Sequence, residues 1–293
     1  MRYMIIYIVL ISTVVAKIQI NLNSCYGNSK KIIIDGIVFY GLNITKVKKD
    51  DSKFTNIKRK LKETIFNKAK ENKDITIFID KFKYKTKSDD EGFFEFSAVT
   101  KKPYFNSKTK IKAIYNQVEA TCKPYIVKNS AKIGVISDFD DTIIKSDVTK
   151  KIKLLKNSFL LNYKQREVIK STKRLINKIL KDKYSPFFVV SGSPKQFNNS
   201  IYKFLDYYHF PKRIVILKKY KGKNADSIFN QFNYKISVIE RLFKLYPNIK
   251  WYLIGDSGER DIEVYKTLLK RYSNRVKGIY IRDIKSGKID KIY

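Results

Sequence analysis

Three short segments of this chain place carboxylates and hydroxyls directly after apolar runs. Asp138-Phe139-Asp140-Asp141-Thr142 follows Ile133 to Ser137. Two carboxylates two residues apart, where a chain leaves a strand, can face one crevice. One can then attack an electrophile while the other moves protons. Ser191-Gly192-Ser193-Pro194 follows Phe187 to Val190 and supplies small hydroxyls able to hold a phosphoryl oxygen. Gly255-Asp256-Ser257-Gly258-Glu259-Arg260-Asp261 follows Trp251 to Ile254. It offers two more aspartates suited to a hard, oxygen-seeking cation such as Mg2+. Each segment alone has an ordinary explanation, because Asp-rich turns reverse chains and serines cap helices. Together, on successive strand ends of one sheet, they read better as one site.

The elements that must position them begin at Lys132, where the pattern becomes alternating strands and helices. Ile133 to Ser137 is apolar without alternation, as in a strand buried on both faces. Phe187–Val190, Ile214–Leu217, Trp251–Ile254 and Gly278–Ile281 read as further strands. Between them lie helix faces built on Leu175, Ile176 and Ile179, on Ile201, Phe204 and Leu205, on Ile236, Ile239 and Leu242, and on Val264, Tyr265 and Leu268. Repeated βα units predict a Rossmann-like parallel sheet covered on both faces, an α/β fold class. Ligands of such sheets bind outside the carboxyl ends of the strands.

Residues 17–130 read as a β-rich N-terminal domain, a small β-sandwich, ahead of an α/β domain at 131–293. Ile32 to Tyr40 is expected to form a hairpin about an Asp35-Gly36 turn. A second hairpin is expected from Phe82, Tyr84 and Thr86 through Ser88–Gly92 into Phe93–Phe96. Phe54, Ile57, Leu61, Ile65 and Ala69 recur at helical steps after a cap at Ser52. Nothing in this region has catalytic spacing, so it reads as a structural or docking module.

Arg2 followed by the apolar run Met4 to Ala16 matches a secretory signal peptide over residues 1–16. The run is too short to span a bilayer comfortably, which takes about 20 residues; a buried first strand and an uncleaved anchor are the rival readings. The expected destination is outside the cytoplasm: periplasmic, envelope-associated or secreted. Cys25 and Cys122 fit that expectation as a disulfide, with a lipidated Cys25 or two unpaired thiols as the rival readings.

Hydrophobic residues at 43% and aromatics at 14% exclude a disordered chain. The net charge of +35 would ordinarily point to nucleic acid or an anionic membrane. Nearly all the basic residues are scattered lysines, in a chain also rich in Ile, Asn, Tyr and Phe, as compositional drift in an AT-rich genome produces. No Arg-rich recognition helix is present, and no specific nucleic-acid binding is expected.

The motif set Asp-x-Asp-x-Thr, strand-Ser, a lysine and Gly-Asp-x-x-x-x-Asp resembles that of the haloacid dehalogenase superfamily phosphatases. SDFDDTIIKSDVT, FFVVSGSPKQF, YKISVIERLFKLYP, WYLIGDSGERDIEVY and IYIRDI resemble the catalytic domain of the actin-patch-protein type phosphatidate phosphatases of fungi and bacteria. The likeness covers about residues 130–285. It implies that Asp138 is a nucleophile accepting the phosphoryl group, and that Asp140 is the general acid and base. It further implies that Asp138, the backbone carbonyl of Asp140, Asp256 and Asp261 hold Mg2+. Thr142 would orient the loop, Ser191 would bind phosphoryl oxygens, and Lys235 would neutralise charge on nucleophile and phosphoryl group. These roles match what phosphoryl transfer needs, an in-line attacker surrounded by positive or donor groups.

Two residues depart from the bacterial pattern, Lys195 in place of an aromatic and Tyr234 in place of His. Both are expected near the substrate mouth. The segments between Thr142 and Ser191 and between Pro194 and Lys235 leave little chain for a large cap, so a minimal cap and an open mouth are expected. The implied substrate is phosphatidate or another lipid phosphate, reached through peripheral contact with an anionic membrane surface. The alternatives are an exported phosphatase for small phosphate esters or nucleotides, and a basic binding protein without catalysis.

Overall fold

The computed structural model describes residues 17–41, 46–66, 71–146, 160–182, 184–219 and 231–293. The expected signal peptide at 1–16 lies outside the described residues, as do parts of both inter-motif segments on which the minimal-cap expectation rests.

The first part of the chain runs β1 (Lys17–Gly27), β2 (Lys31–Gly41), α1 (Lys53–Phe66), β3 (Asp74–Ile79), β4 (Phe82–Lys87), β5 (Phe93–Val99), β6 (Ile111–Tyr115), β7 (Val118–Cys122) and β8 (Tyr125–Ile126). They form two four-stranded sheets, in the orders β5-β2-β1-β8 and β4-β3-β6-β7. Alternate residues of each, such as Ile32 and Ile34 from β2 and Ile75 and Ile77 from β3, meet in one core. Cys25 of β1 and Cys122 of β7 are disulfide-bonded between the sheets, across 97 residues of sequence. A cross-link of that span typically stabilises by about 2–4 kcal/mol, chiefly by restricting the unfolded chain. It uses both sulfurs, which is incompatible with lipidation of Cys25.

Two local expectations give way to tertiary pairing. Asp35-Gly36 is not a turn, because β2 runs unbroken through it and pairs with β1 on one side and β5 on the other. A Cβ at Gly36 would stand 2.3 Å from the Phe94 ring and 2.6 Å from Asn21 O. The glycine therefore serves close approach rather than chain reversal. Nor do β4 and β5 form a hairpin: β4 pairs with β3 through a turn at Asp80, whose φ is +52°, while β5 crosses to the other sheet. In α1, Ser52 Oγ does accept from Thr55 N at 3.1 Å, capping the helix. The buried residues of its described part are polar, Asn56 and Arg59, and Phe54 is 74% exposed.

The second part runs β9 (Ile133–Ser137), α2 (Lys170–Ile179), β10 (Phe187–Pro194), α3 (Asn198–Tyr207), β11 (Ile214–Lys218), α4 (Gln231–Leu245), β12 (Lys250–Asp256), α5 (Asp261–Arg271), β13 (Val276–Arg282) and β14 (Ile289–Lys291). One sheet has the order β11-β10-β9-β12-β13-β14, its first five strands parallel and β14 antiparallel at the edge. Successive residues point to opposite faces, so both faces are apolar. Val135, Phe187 and Val189 pack with Ile176, Ile201 and Phe204 on one side. Ile136, Phe188 and Val190 pack with Ile239, Leu242 and Leu268 on the other.

The second core also takes in Tyr26 and Ile33 of the β-rich part. Tyr26 meets Phe188 edge-on with centroids 5.7 Å apart. Around that contact Arg241 pairs with Glu95 at 3.2 Å, Lys219 with Asp89 at 2.6 Å, and Lys195 with Asp35.

Candidate active site

The carboxyl edge of the parallel sheet is where the chemical residues assemble. Asp138 N donates to Ile254 O at 2.8 Å, so the ladder with β12 extends one residue past β9 and fixes the Asp138 backbone. Asp141 then adopts φ +51°, a left-handed conformation that aspartate tolerates, and the chain turns away. Its carboxylate accepts from Ser146 N at 2.8 Å.

Asp138 is 1% exposed and Lys235, from the first turns of α4, is 2% exposed. Lys235 Nζ lies 2.8 Å from Asp138 Oδ1, 2.5 Å from Asp261 Oδ1 and 2.9 Å from Glu259 Oε2. Asp261 reaches inward because position 255 is glycine; a Cβ there would stand 2.5 Å from Asp261 Oδ2. Asp256 Oδ1 accepts from Gly258 N at 2.7 Å and Glu259 N at 3.1 Å, and its Oδ2 accepts from Thr142 Oγ1 at 3.3 Å. Thr142 thus ties the turn after Asp138 to the acidic loop.

Burial governs the protonation of these groups. It pushes the Asp138 carboxyl well above the usual range; Lys235 pulls it back while Asp261 and Glu259 push further. Burial, with repulsion from Asp261 and Glu259, pushes Asp256 up to about 7. Burial acts against the Lys235 ammonium, but Asp138, Asp261 and Glu259 outweigh it and hold its pKa well above normal. The lysine is therefore charged.

Asp138, Asp256, Glu259 and Asp261 present ligand oxygens that all lie within 4.8 Å of one another. Among the described residues, Lys235 is the cation in ion-pair contact with this group, and Asp138 Oδ2 is buried without a hydrogen-bond partner. Four carboxylates facing one ammonium carry an excess negative charge that low-dielectric surroundings make costly. A hard divalent cation on these oxygens removes that cost, so the donor set fits one.

The Asp140 carboxylate lies outside that cluster. Its Oδ2 accepts from Ser193 Oγ at 2.7 Å and from Ser191 Oγ at 3.5 Å, and its Oδ1 accepts from Ser146 Oγ at 2.8 Å. Burial raises its pKa, against the pull of Arg166 and the serine donors. Ser191 Oγ also accepts from Ser193 N at 3.0 Å, which folds the serine turn toward the two aspartates.

All seven site residues named from sequence thus converge on one edge. Lys195 turns to Asp35 of β2 and Tyr234 joins the core shared with the β-rich part, while both line one cavity at that junction. Glu259 joins the site from within the acidic motif, where its spacing from Asp256 and Asp261 is a usable signal. Ser146 lies in the segment after Thr142 and has no catalytic spacing of its own. Arg166 has no local signal at all.

The edge of the parallel sheet thus carries a buried aspartate paired with a lysine, beside an acidic group whose oxygens could hold a cation. Residues 133–283 match the family described as phosphatidate phosphatase APP1, catalytic domain. The match spans more than half of the chain, and the chain belongs to this family. It is 36% identical over 152 residues to phosphatidate phosphatase APP1 of Saccharomyces cerevisiae, covering 51% of this chain and 26% of the yeast protein. It is 25% identical over 207 residues to an uncharacterized protein of Schizosaccharomyces pombe, covering 67% and 34% of the two chains. The chain therefore spans about a quarter to a third of the curated relatives it matches. Superposition on a carbohydrate acetylesterase from Xanthomonas citri covers 91% of this chain and 68% of that one, with a TM-score of 0.30 at 7% identity, too low to bear on the fold.

Proposed function

We propose that the chain is a Mg2+-dependent phosphomonoester hydrolase with a haloacid dehalogenase-like fold, acting on phosphatidate or a related lipid phosphate through an aspartyl phosphate on Asp138. The observation that carries this reading is the Asp138 carboxylate, held by Lys235 at 2.8 Å through one oxygen and buried without a hydrogen-bond partner at the other. The nucleophile's place after the central strand of β11-β10-β9-β12-β13 supports the fold assignment.

In this reaction Asp138 attacks phosphorus in line with the leaving oxygen, forming an acyl phosphate as the ester P–O bond breaks. Lys235 favours the anionic form of the attacking carboxylate and offsets charge on the phosphoryl group. Ser191 donates to a phosphoryl oxygen. Asp140 gives its proton to the leaving oxygen, then takes one from the water that hydrolyses the acyl phosphate and frees Asp138. Asp138, Asp256 and Asp261, with Glu259 beside them and the Asp140 carbonyl, would hold Mg2+, which supplies charge neutralisation and orients the phosphoryl oxygens.

The lipid reading gains support from α1. Its Asn56 and Arg59 line a pocket that reaches Asp140 and Ser193 over the apolar residues Phe139 and Phe204. On the same helix Phe54 projects into solvent between Lys53 and Lys58. Each lysine near an anionic bilayer contributes roughly 1 kcal/mol, declining with salt. The kcat/KM on phosphatidate in anionic vesicles is expected to exceed that on glycerol 3-phosphate or nucleotides, and to fall more steeply as salt rises. Equal or better turnover of soluble esters, with one salt response for both, would favour the soluble phosphatase instead.

Export is part of the same proposal, supported by the Cys25–Cys122 bond, which persists in oxidising compartments. Protein taken from cells should begin near Lys17, with both thiols resisting alkylation until reduced. Intact Met1 on the mature chain would refute cleavage.

A further inference from the structure

Two residues that the reaction above does not use, the buried Ser146 and the half-buried Arg166, converge on its acid. Ser146 is 0% exposed, and its hydroxyl donates to Asp140 Oδ1 at 2.8 Å while accepting from Arg166 Nη2 at 3.3 Å. A hydroxyl has one proton to give and lone pairs to receive, so both contacts can be made at once. The two residues come together because segments 143–146 and 167–169 run as a short antiparallel pair. Ile169 N donates to Ile143 O at 2.9 Å and Lys145 N to Glu167 O at 3.0 Å. Tyr208 OH of the segment after α3 donates to Arg166 O at 2.7 Å and fixes that backbone.

The β-rich part of the chain holds the same segment from the other side. Asn56 Nδ2 of α1 donates to Leu160 O at 2.8 Å and to Gln165 Oε1 at 2.7 Å, and Gln165 Nε2 donates to Asp51 O at 2.7 Å. Arg59 Nη1 donates to Asn56 Oδ1 at 3.1 Å, so the amide is held at both ends.

We propose that Ser146 and Arg166 are positioning residues that fix Oδ1 of Asp140, leaving Oδ2 as the oxygen that exchanges a proton with the leaving group, and that α1 holds Arg166 in place. The inference rests on the phosphatase reading. Oδ2 is the oxygen on the side of Ser191 and Ser193, where the phosphoryl group is bound. A carboxyl rotated about its Cβ–Cγ axis would present its proton away from the leaving oxygen. The Ser146 contact on Oδ1 removes that rotation. On this view the N-terminal part is not a passive module: its helix reaches the acid through the chain Asn56, Gln165, Arg166, Ser146 and Asp140.

The test compares kcat/KM for p-nitrophenyl phosphate, whose leaving group needs little protonation, with kcat/KM for phosphatidate, an alkyl ester that needs it. General acid catalysis contributes about a hundredfold to ten-thousandfold. Ser146→Ala and Arg166→Gln are therefore expected to lower the alkyl rate on the order of tenfold to a hundredfold, and the aryl rate by less than about threefold. Arg166→Lys should fall between wild type and Arg166→Gln, and Asn56→Ala should move the ratio the same way by a smaller factor. The ratio is measured within one preparation, so any misfolded fraction cancels. An equal loss on both substrates would make these residues structural or substrate-binding, and an unchanged ratio would remove the positioning role; either overturns the inference. A wild-type chain that turns over neither ester would instead sink the phosphatase reading on which it stands.

Discussion

Asp138→Asn protein is expected to release phosphate from aryl and lipid esters at no more than about a thousandth of the wild-type rate with Mg2+ present. The substitution keeps the shape of the side chain and the backbone bond to Ile254 O, so the fold should survive. What it removes is the attacking oxygen and the charge that Lys235 faces. Brief exposure to 32P-labelled substrate followed by acid quench should label the wild-type chain and leave the variant unlabelled. Asp140→Asn should still take up label from p-nitrophenyl phosphate, because a good leaving group departs without an acid. Full turnover by Asp138→Asn would end the assignment of the nucleophile.

The second large effect is expected at Lys235. Its ammonium lies within 3 Å of the buried Asp138 and Asp261 and of the half-buried Glu259. Removing one partner from a buried ion network costs about 3–5 kcal/mol, because the remaining charges lose their compensation. Lys235→Met protein held in EDTA at pH 8 should show that loss in denaturant melts, and activity with Mg2+ should fall on the order of a hundredfold or more. Acidification should restore part of the stability. A carboxyl whose folded pKa stands above its unfolded value binds more protons when folded, so stability rises as pH falls through the folded pKa. In the wild-type chain Asp256 is already pushed up to about 7, against 3.8 for the free group, and loss of the lysine can only push it further. Added Mg2+ should likewise restore stability at pH 8. A variant as stable as wild type in EDTA would show that the carboxylates do not depend on this lysine.

Much of the site was legible in sequence because each of its parts follows an apolar run that can only be a buried strand. Asp138 after Ile133–Ser137, Ser191 after Phe187–Val190 and Asp256 after Trp251–Ile254 are placed by strand ends alone. Lys235 was legible only through the family resemblance, since a lysine early in a helix of a lysine-rich chain carries no signal of its own. Ser146 and Arg166 were not legible, because 20 residues separate them and only a two-strand ladder and the docking of α1 bring them to Asp140. Asp35-Gly36 shows the opposite failure. Strong local turn chemistry lost to a strand flanked on both sides, where ladder hydrogen bonds and the packing of Phe94 against the glycine outweigh a two-residue preference.

By itself the sequence determined the succession of βα units and the residues that leave each strand end, because apolar period and strand length are local properties that the chain carries wherever it goes. It also carried the family, through five motif segments. Only the tertiary structure decided that Glu259 reaches Lys235, that Lys195 turns to Asp35, and that a helix from the β-rich part braces the acid. Each of those depends on two segments far apart in sequence arriving within about 3 Å. Such approaches are set by the packing of whole sheets and helices against one another, for which no short stretch of sequence holds the coordinates.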